Sequence, residues 1–94
     1  MAAAIPPRHG DAIRRNWCSL LDEMDTEAVE NHMIAQGALP LSKREELSTQ
    51  TLRRRRREML LEYVVARDSQ VFECFLQALD AARQTHLSDR LRNG

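Results

Sequence analysis

Arginines and carboxylates are the functional groups that stand out in this sequence. A basic pair, Arg14-Arg15, precedes a run of five consecutive arginines from Arg53 to Arg57. Between them, residues 22–46 contain seven acids and two bases, a balance of −5, whereas residues 47–67 contain six arginines and two glutamates, a balance of +4. A planar guanidinium group can bind a carboxylate through two parallel hydrogen bonds. The pattern therefore indicates binding between opposite charges.

The whole chain has no net charge, because its 14 lysines and arginines equal its 14 aspartates and glutamates. Arginine-rich helices can bind RNA, but the acidic segment would repel phosphate groups, so we expect no nucleic-acid partner. Opposite charges sorted along one small chain favour attachment to a related protein or to a second copy.

Residues that could support catalysis or hold a metal are few and scattered. Cys18 and Cys74, the only cysteines, both fall within apolar helical patterns, so we expect two small buried hydrophobic side chains in a reducing compartment. His9, His32 and His86 are far apart in sequence and show no zinc-ligand spacing. We therefore predict no catalytic residues, no metal and no cofactor.

Short helices are expected to carry these charged side chains. Ninety-four residues allow one domain, and the low glycine and proline content favours a helical bundle. Residues 1–7 are predicted to be a flexible tail that ends at a proline pair. No apolar run approaches the ~20 residues that a membrane span needs, and the first residues do not resemble a signal peptide. We expect a soluble, cytoplasmic protein without a membrane partner.

Helical periodicity and capping signals predict six helices. The first covers residues 11–24, with Asp11 as its cap and Trp17 in the core. The second begins at Asp25 or Thr26 and ends at Gly37. The predicted third helix is short and begins with a capping box in which Ser42 and Glu45 are paired.

The remaining three predicted helices follow the same logic. The fourth runs from about Thr51 to Ala66, and its expected core stripe comprises Leu52, Met59, Leu60, Tyr63 and Val64. The fifth opens at Asp68-Ser69 and turns Val71, Phe72, Phe75, Leu76 and Leu79 inward. The sixth begins near Thr85 and holds Leu87 and Leu91.

Four segments of this sequence resemble caspase recruitment domains (CARDs). The segments are Arg8-His9 with Ile13-Arg14-Arg15-Asn16 and Leu20-Leu21, then Asn31 to Leu39, Arg67 to Leu79, and His86 to Leu91. Asp68 stands where the family commonly has glycine. The resemblance covers residues 8–94 and is strongest to the prodomains of initiator caspases, with apoptosome-type adaptors second. It implies an all-α, six-helix antiparallel Greek-key bundle of the death fold, often with a kinked first helix.

The resemblance also implies a homotypic CARD–CARD contact in which a basic patch meets an acidic patch. The family's basic positions match Arg14, Arg15, Arg53 and Arg54, and we add Arg57 to the predicted basic patch. The acidic patch is predicted from charge to comprise Asp25, Glu27, Glu30 and Glu46. Glu58 departs from the pattern, because some relatives carry arginine there. The competing interpretation of all these residues is an ordinary solvated helix face, where single ion pairs contribute ~0–1 kcal/mol.

The function that the resemblance implies is recruitment of an initiator caspase to an oligomeric activation platform in apoptosis. This chain would then be non-catalytic, and any catalytic domain would follow residue 94, since no caspase-type Gln-Ala-Cys stretch occurs here. The beginning of the domain close to Met1 fits a prodomain. The alternative is the CARD of an adaptor or scaffold without protease activity, in an apoptotic or an inflammatory pathway.

Overall fold

Seven α-helices make up the part of the chain described by the computed structural model, residues 7–93, with side chains described from His9 onward. The helices are α1 (Pro7–Arg15), α2 (Trp17–Glu23), α3 (Thr26–Ala35), α4 (Leu41–Ser48), α5 (Arg53–Val65), α6 (Ser69–Ala81) and α7 (Thr85–Asn93). No strand occurs within residues 7–93. The predicted tail lies outside the described residues apart from Pro7, which begins α1.

The first predicted helix exists but is broken at Asn16, which turns six predicted helices into seven. The Asn16 side-chain amide donates to the carbonyl of Ala12 at 2.9 Å, while its backbone N–H is shared between the carbonyls of Ala12 and Ile13. A side chain that competes for a backbone carbonyl in this way disturbs the regular helix ladder. The predicted cap at Asp11 is wrong, because Asp11 lies inside α1.

Besides the wrong cap at Asp11, two predicted helix caps are confirmed and a second one is wrong. Asp25 accepts a hydrogen bond from the N–H of Ala28, and Asp68 accepts one from the N–H of Val71. Ser42 does not cap α4, because that helix already begins at Leu41, with Pro40 as its extended N-cap residue.

Gly37 ends α3 as predicted, with a φ of 76° that glycine adopts without steric cost. Its N–H binds the carbonyl of Ile34, and the next N–H, of Ala38, binds that of Met33 at 2.8 Å. This is the Schellman arrangement. The same hydrogen-bond pattern closes α6, but there the left-handed residue is Arg83, with a φ of 62°.

Helix α5 lies at the centre of the packing and contacts α1, α2, α3, α4 and α6, while α3 packs mainly on α6. The fully buried side chains include Ile13, Leu20, Met24, Met33, Leu47, Leu60, Leu61, Phe72, Phe75, Leu76, Leu79 and Leu87. Two core predictions are wrong, because Leu52 is 70% exposed as the N-cap residue before α5, and Cys18 is exposed. The other predicted core side chains that are not fully buried still pack against the core while partly exposed, namely Trp17, Met59, Tyr63, Val71 and Cys74.

Helices α6 and α7 are joined by a polar cluster around Asp80. Its carboxylate accepts hydrogen bonds from the buried hydroxyl of Ser88 and from the guanidinium of Arg92, the latter at 2.9 Å. The hydrogen bond from Arg92, followed by that from Ser88, lowers the pKa of Asp80 below its usual 3.8. The cluster therefore stabilises this corner of the bundle with its carboxylate ionised.

Candidate functional site

The five consecutive arginines at the start of α5 point in different directions, since each residue of an α-helix is rotated by about 100° from the last. Arg53 is exposed and makes no ion pair within the described residues. Arg54 pairs with Asp22 on α2, and Arg55 pairs with Glu58 on its own helix. The hydrogen bond to Glu58 raises the pKa of Arg55 above its ordinary value. The run is therefore not one uniform basic face.

Arg56 points inward and binds Glu30 on α3. Its Nε and Nη2 atoms donate to the two carboxylate oxygens of Glu30 at 3.0 and 2.8 Å, and Arg44 on α4 places its Nε 3.2 Å from the same carboxylate. The hydrogen bond to Glu30 raises the pKa of Arg56, against the opposing effect of burial. The side chain of Glu30 is 0% exposed. This cluster joins α3, α4 and α5.

The prediction that Glu30 belongs to the acidic patch is therefore wrong, because its carboxylate is not on the surface. A sequence signal for this existed: Arg56 falls next to the core stripe of its helix, and an inward-facing guanidinium needs a buried acid.

Arg57 binds the C-terminal end of α2. Its guanidinium donates to the carbonyls of Met24 and Leu21 at 2.7 and 2.8 Å, and to that of Asp22 at 3.2 Å. These carbonyls lack partners within the helix, and a positive charge suits the negative end of the helix dipole. Arg57 was predicted to belong to the basic patch, but in the structure its donors are engaged by its own molecule.

The predicted acidic and basic residues also share a groove of about 540 Å³. Asp25 and Glu27, from the start of α3, line it together with Arg53, from the start of α5. Charges that are separated along the sequence therefore meet at this point, because the corner between α2 and α3 packs beside the N-terminus of α5.

The arginines of α1 lie near the opposite end of α5. Arg14 pairs with Asp11 at 3.1 Å, and it lines a shallow, largely apolar groove with the half-buried Trp17 and with Val65. Arg15 is exposed and makes no ion pair within residues 9–93. Arg54 and Val65 are separated by ~16 Å along the helix axis, so the arginines of α1 and those at the start of α5 lie near opposite ends of α5.

The remaining predicted acid, Glu46, lies exposed on α4 and pairs with Lys43 at 3.0 Å. The basic surface comprises Arg14, Arg15, Arg53 and Arg54, and the acidic surface comprises Asp25, Glu27 and Glu46. All seven are exposed.

Thiol and imidazole groups form no reactive arrangement in the described part of the chain. Burial raises the pKa of the Cys74 thiol, which disfavours the nucleophilic thiolate. His9 stacks on Phe72, with ring centroids 4.2 Å apart, and His86 lies 3.1 Å from Glu23. Residues 7–93 contain no group of three or more His, Cys, Asp or Glu side chains that could hold a metal ion.

Among the described helices, none is both long enough and apolar enough to cross a membrane. No curated protein matches the chain. The family model of the caspase recruitment domain, in contrast, matches residues 10–94, which is most of the sequence. This family comprises non-catalytic modules that bind other death-fold domains, and the helical architecture agrees with it. The chain therefore belongs to the caspase recruitment domain family.

Proposed function

We propose that this domain recruits an initiator-caspase zymogen to an oligomeric platform in apoptosis, by docking its basic surface on the acidic surface of a partner CARD or of a second copy. The observation that carries the proposal is the exposure of Arg15 and Arg53, which have no ion pair in their own molecule within the described residues. Their guanidinium groups are available for bidentate binding to carboxylates.

The acidic surface supplies the complementary side of the proposed contact. Glu27 makes no ion pair within the described residues, and Glu46 has only an exposed pair with Lys43, which costs little to break. A basic surface that binds an acidic surface elsewhere on the next molecule is a heterologous contact, which can propagate into larger assemblies. Crowding zymogens on such an assembly would raise their effective concentration and promote dimerisation.

The caspase assignment is supported by the resemblance of the four segments described above to initiator-caspase prodomains. The free thiols of Cys18 and Cys74 suit a reducing cytoplasm. The coding sequence that follows residue 94 tests this part directly. A downstream domain with an active-site cysteine and histidine would support it, and a non-protease domain would select an adaptor.

The contact itself is tested by charge reversal. We expect Arg15→Glu with Arg53→Glu to abolish binding to initiator-caspase and apoptosome-type CARDs, and self-association in sedimentation, while circular dichroism stays native. The matched control is Arg83→Glu with Arg90→Glu, which changes the net charge equally on exposed residues at the α6–α7 turn and on α7. An equal loss of binding in both variants would mean that the net charge of the domain causes it, and not the position of the arginines. Undiminished binding in the Arg15→Glu, Arg53→Glu variant would reject the basic surface.

A mixing experiment distinguishes a true complementary contact from a damaged fold. A chain with Glu27→Arg and Glu46→Arg keeps the native basic surface, and the Arg15→Glu, Arg53→Glu chain keeps the native acidic surface. Each variant alone should remain monomeric, whereas the mixture should form a complex. A mixture that remains monomeric while the wild-type chain associates would rule out the pairing of these two surfaces.

A further inference from the structure

Half of the basic surface is already paired with acids of its own molecule. Arg54 pairs with Asp22 and Arg14 pairs with Asp11, whereas their sequence neighbours Arg53 and Arg15 have no ion pair within the described residues. The Arg54–Asp22 contact joins two helices, because Asp22 lies on α2 and Arg54 on α5. Both side chains are 60% exposed, so the pair lies at the surface where a partner would dock.

Asp22 is held in place independently of Arg54. Arg57 binds the carbonyls of Leu21, Asp22 and Met24, so the backbone that carries the Asp22 carboxylate is fixed against α5. The side chain of Asp is short, which leaves its carboxylate little freedom once the backbone is fixed. Arg54 therefore faces a pre-positioned anion of its own molecule.

A partner carboxylate that binds Arg54 must compete with this anion. The exposed pair itself contributes only ~0–1 kcal/mol, and Asp22 also repels an approaching carboxylate of the same sign. We propose that Asp22 is an intramolecular competitor that weakens binding of acidic partner surfaces to Arg54. Partners with several clustered acids could outcompete it, so Asp22 would select against weakly acidic partners. This inference rests on the proposed function for its biological role, but the competition can be measured without a natural partner.

The first test uses the peptide acetyl-hexaglutamate as the probe, with NMR detection of the Arg54 Nε–H resonance. We expect Asp22→Asn to tighten peptide binding at Arg54 about 2- to 5-fold, as expected for loss of a weak exposed ion pair. Asp89→Asn on α7 is the matched control, since it removes one exposed negative charge elsewhere. An equal gain in peptide affinity in Asp89→Asn, or no gain in affinity in Asp22→Asn, would overturn the proposal that Asp22 competes for Arg54.

The second test repeats the comparison with a protein probe, the immobilised Arg15→Glu, Arg53→Glu chain, which keeps the native acidic surface. The gain from Asp22→Asn should disappear in an Arg54→Gln background, because a double-mutant cycle isolates the interaction between the two residues. It should also shrink at high salt. A gain that persists without Arg54 would overturn the inference.

The two proposals fail in different ways. If the wild-type chain does not bind the immobilised probe, copy-to-copy docking is rejected, while the peptide result still decides whether Asp22 competes for Arg54. If the wild-type chain binds the probe but Asp22→Asn changes neither the affinity for the peptide nor that for the immobilised chain, the competition is rejected and the proposed function stands.

Discussion

Two carboxylates on neighbouring helices, Glu30 on α3 and Asp22 on α2, bind arginines of the same run and yet have opposite exposure. Glu30 is 0% exposed and binds Arg56 and Arg44, whereas the carboxylate of Asp22 is 60% exposed and, among the described residues, pairs only with Arg54. Losing one member of a buried pair leaves an uncompensated charge away from water. Losing one member of an exposed pair leaves a solvated charge. Burial therefore decides which arginines of α5 hold the bundle together and which can engage a partner.

Removing Glu30 should lower the stability of the fold more than removing any exposed acid. A small effect would contradict the difference between buried and exposed carboxylates. Glu30→Ala leaves the guanidinium groups of Arg56 and Arg44 without their buried carboxylate, and we expect a loss of ~3–5 kcal/mol in the free energy of unfolding. Urea denaturation measures it. Glu27→Ala, an exposed acid on the same helix, is the control and should change stability by less than ~0.5 kcal/mol. Similar losses in both variants would refute the structural role of Glu30.

Asp80 provides an intermediate case, because its side chain is 36% exposed and pairs with Arg92. Allowing for solvent screening, we expect Asp80→Asn to cost about 1 kcal/mol at pH 7. Its pKa is lower in the folded chain than its usual 3.8, so the carboxylate's contribution is complete above that pH and is lost as the pH falls through the folded pKa. The stability difference between wild type and variant should therefore be constant from pH 5 to 7 and shrink below about pH 4. A constant difference down to pH 2 would argue against an ionised Asp80 as the cause.

Asp22→Asn should have the smallest effect on folding, which tests the exposed pair in the way that Glu30→Ala tests the buried one. We expect a change of less than ~1 kcal/mol in the free energy of unfolding, because the pair with Arg54 is exposed. Thermal and urea denaturation measure it. A loss as large as that of Glu30→Ala would mean that the Arg54–Asp22 contact is structural and would undermine its role as a competitor.

Local signals in the sequence predicted the parts of the fold that depend on neighbouring residues only. The caps at Asp25 and Asp68 and the left-handed Gly37 follow from residue type and position, and the structure has all three. The resemblance implies a first helix that is often kinked, but local signals did not place the break at Asn16, because Asn is compatible with a helix interior until its side chain takes the carbonyl of Ala12. The family's Greek-key connectivity stays a prediction from the resemblance.

The candidate site was predicted less completely, since its residues depend on which helices pack together. Glu27 was chosen by charge and is exposed, but the same criterion chose Glu30, which is buried. Charge does not reveal that Arg56 turns inward beside α3, nor that Arg57 reaches the end of α2. Those contacts depend on the position of α5 at the centre of the bundle.

Gln84 has a consequence for the kinetics of recognition. Its side-chain oxygen accepts a hydrogen bond from the N–H of Asp25 at 2.7 Å, and its amide donates one to the carbonyl of Glu23 at 2.7 Å. These two bonds hold the corner between α2 and α3 against the turn that follows α6. The left-handed Arg83 just before it sets the direction of that turn. Because these hydrogen bonds order the corner before a partner arrives, this domain loses little conformational entropy there when a partner docks. Association at this corner should be limited by diffusion and charge steering, with no slow loop rearrangement.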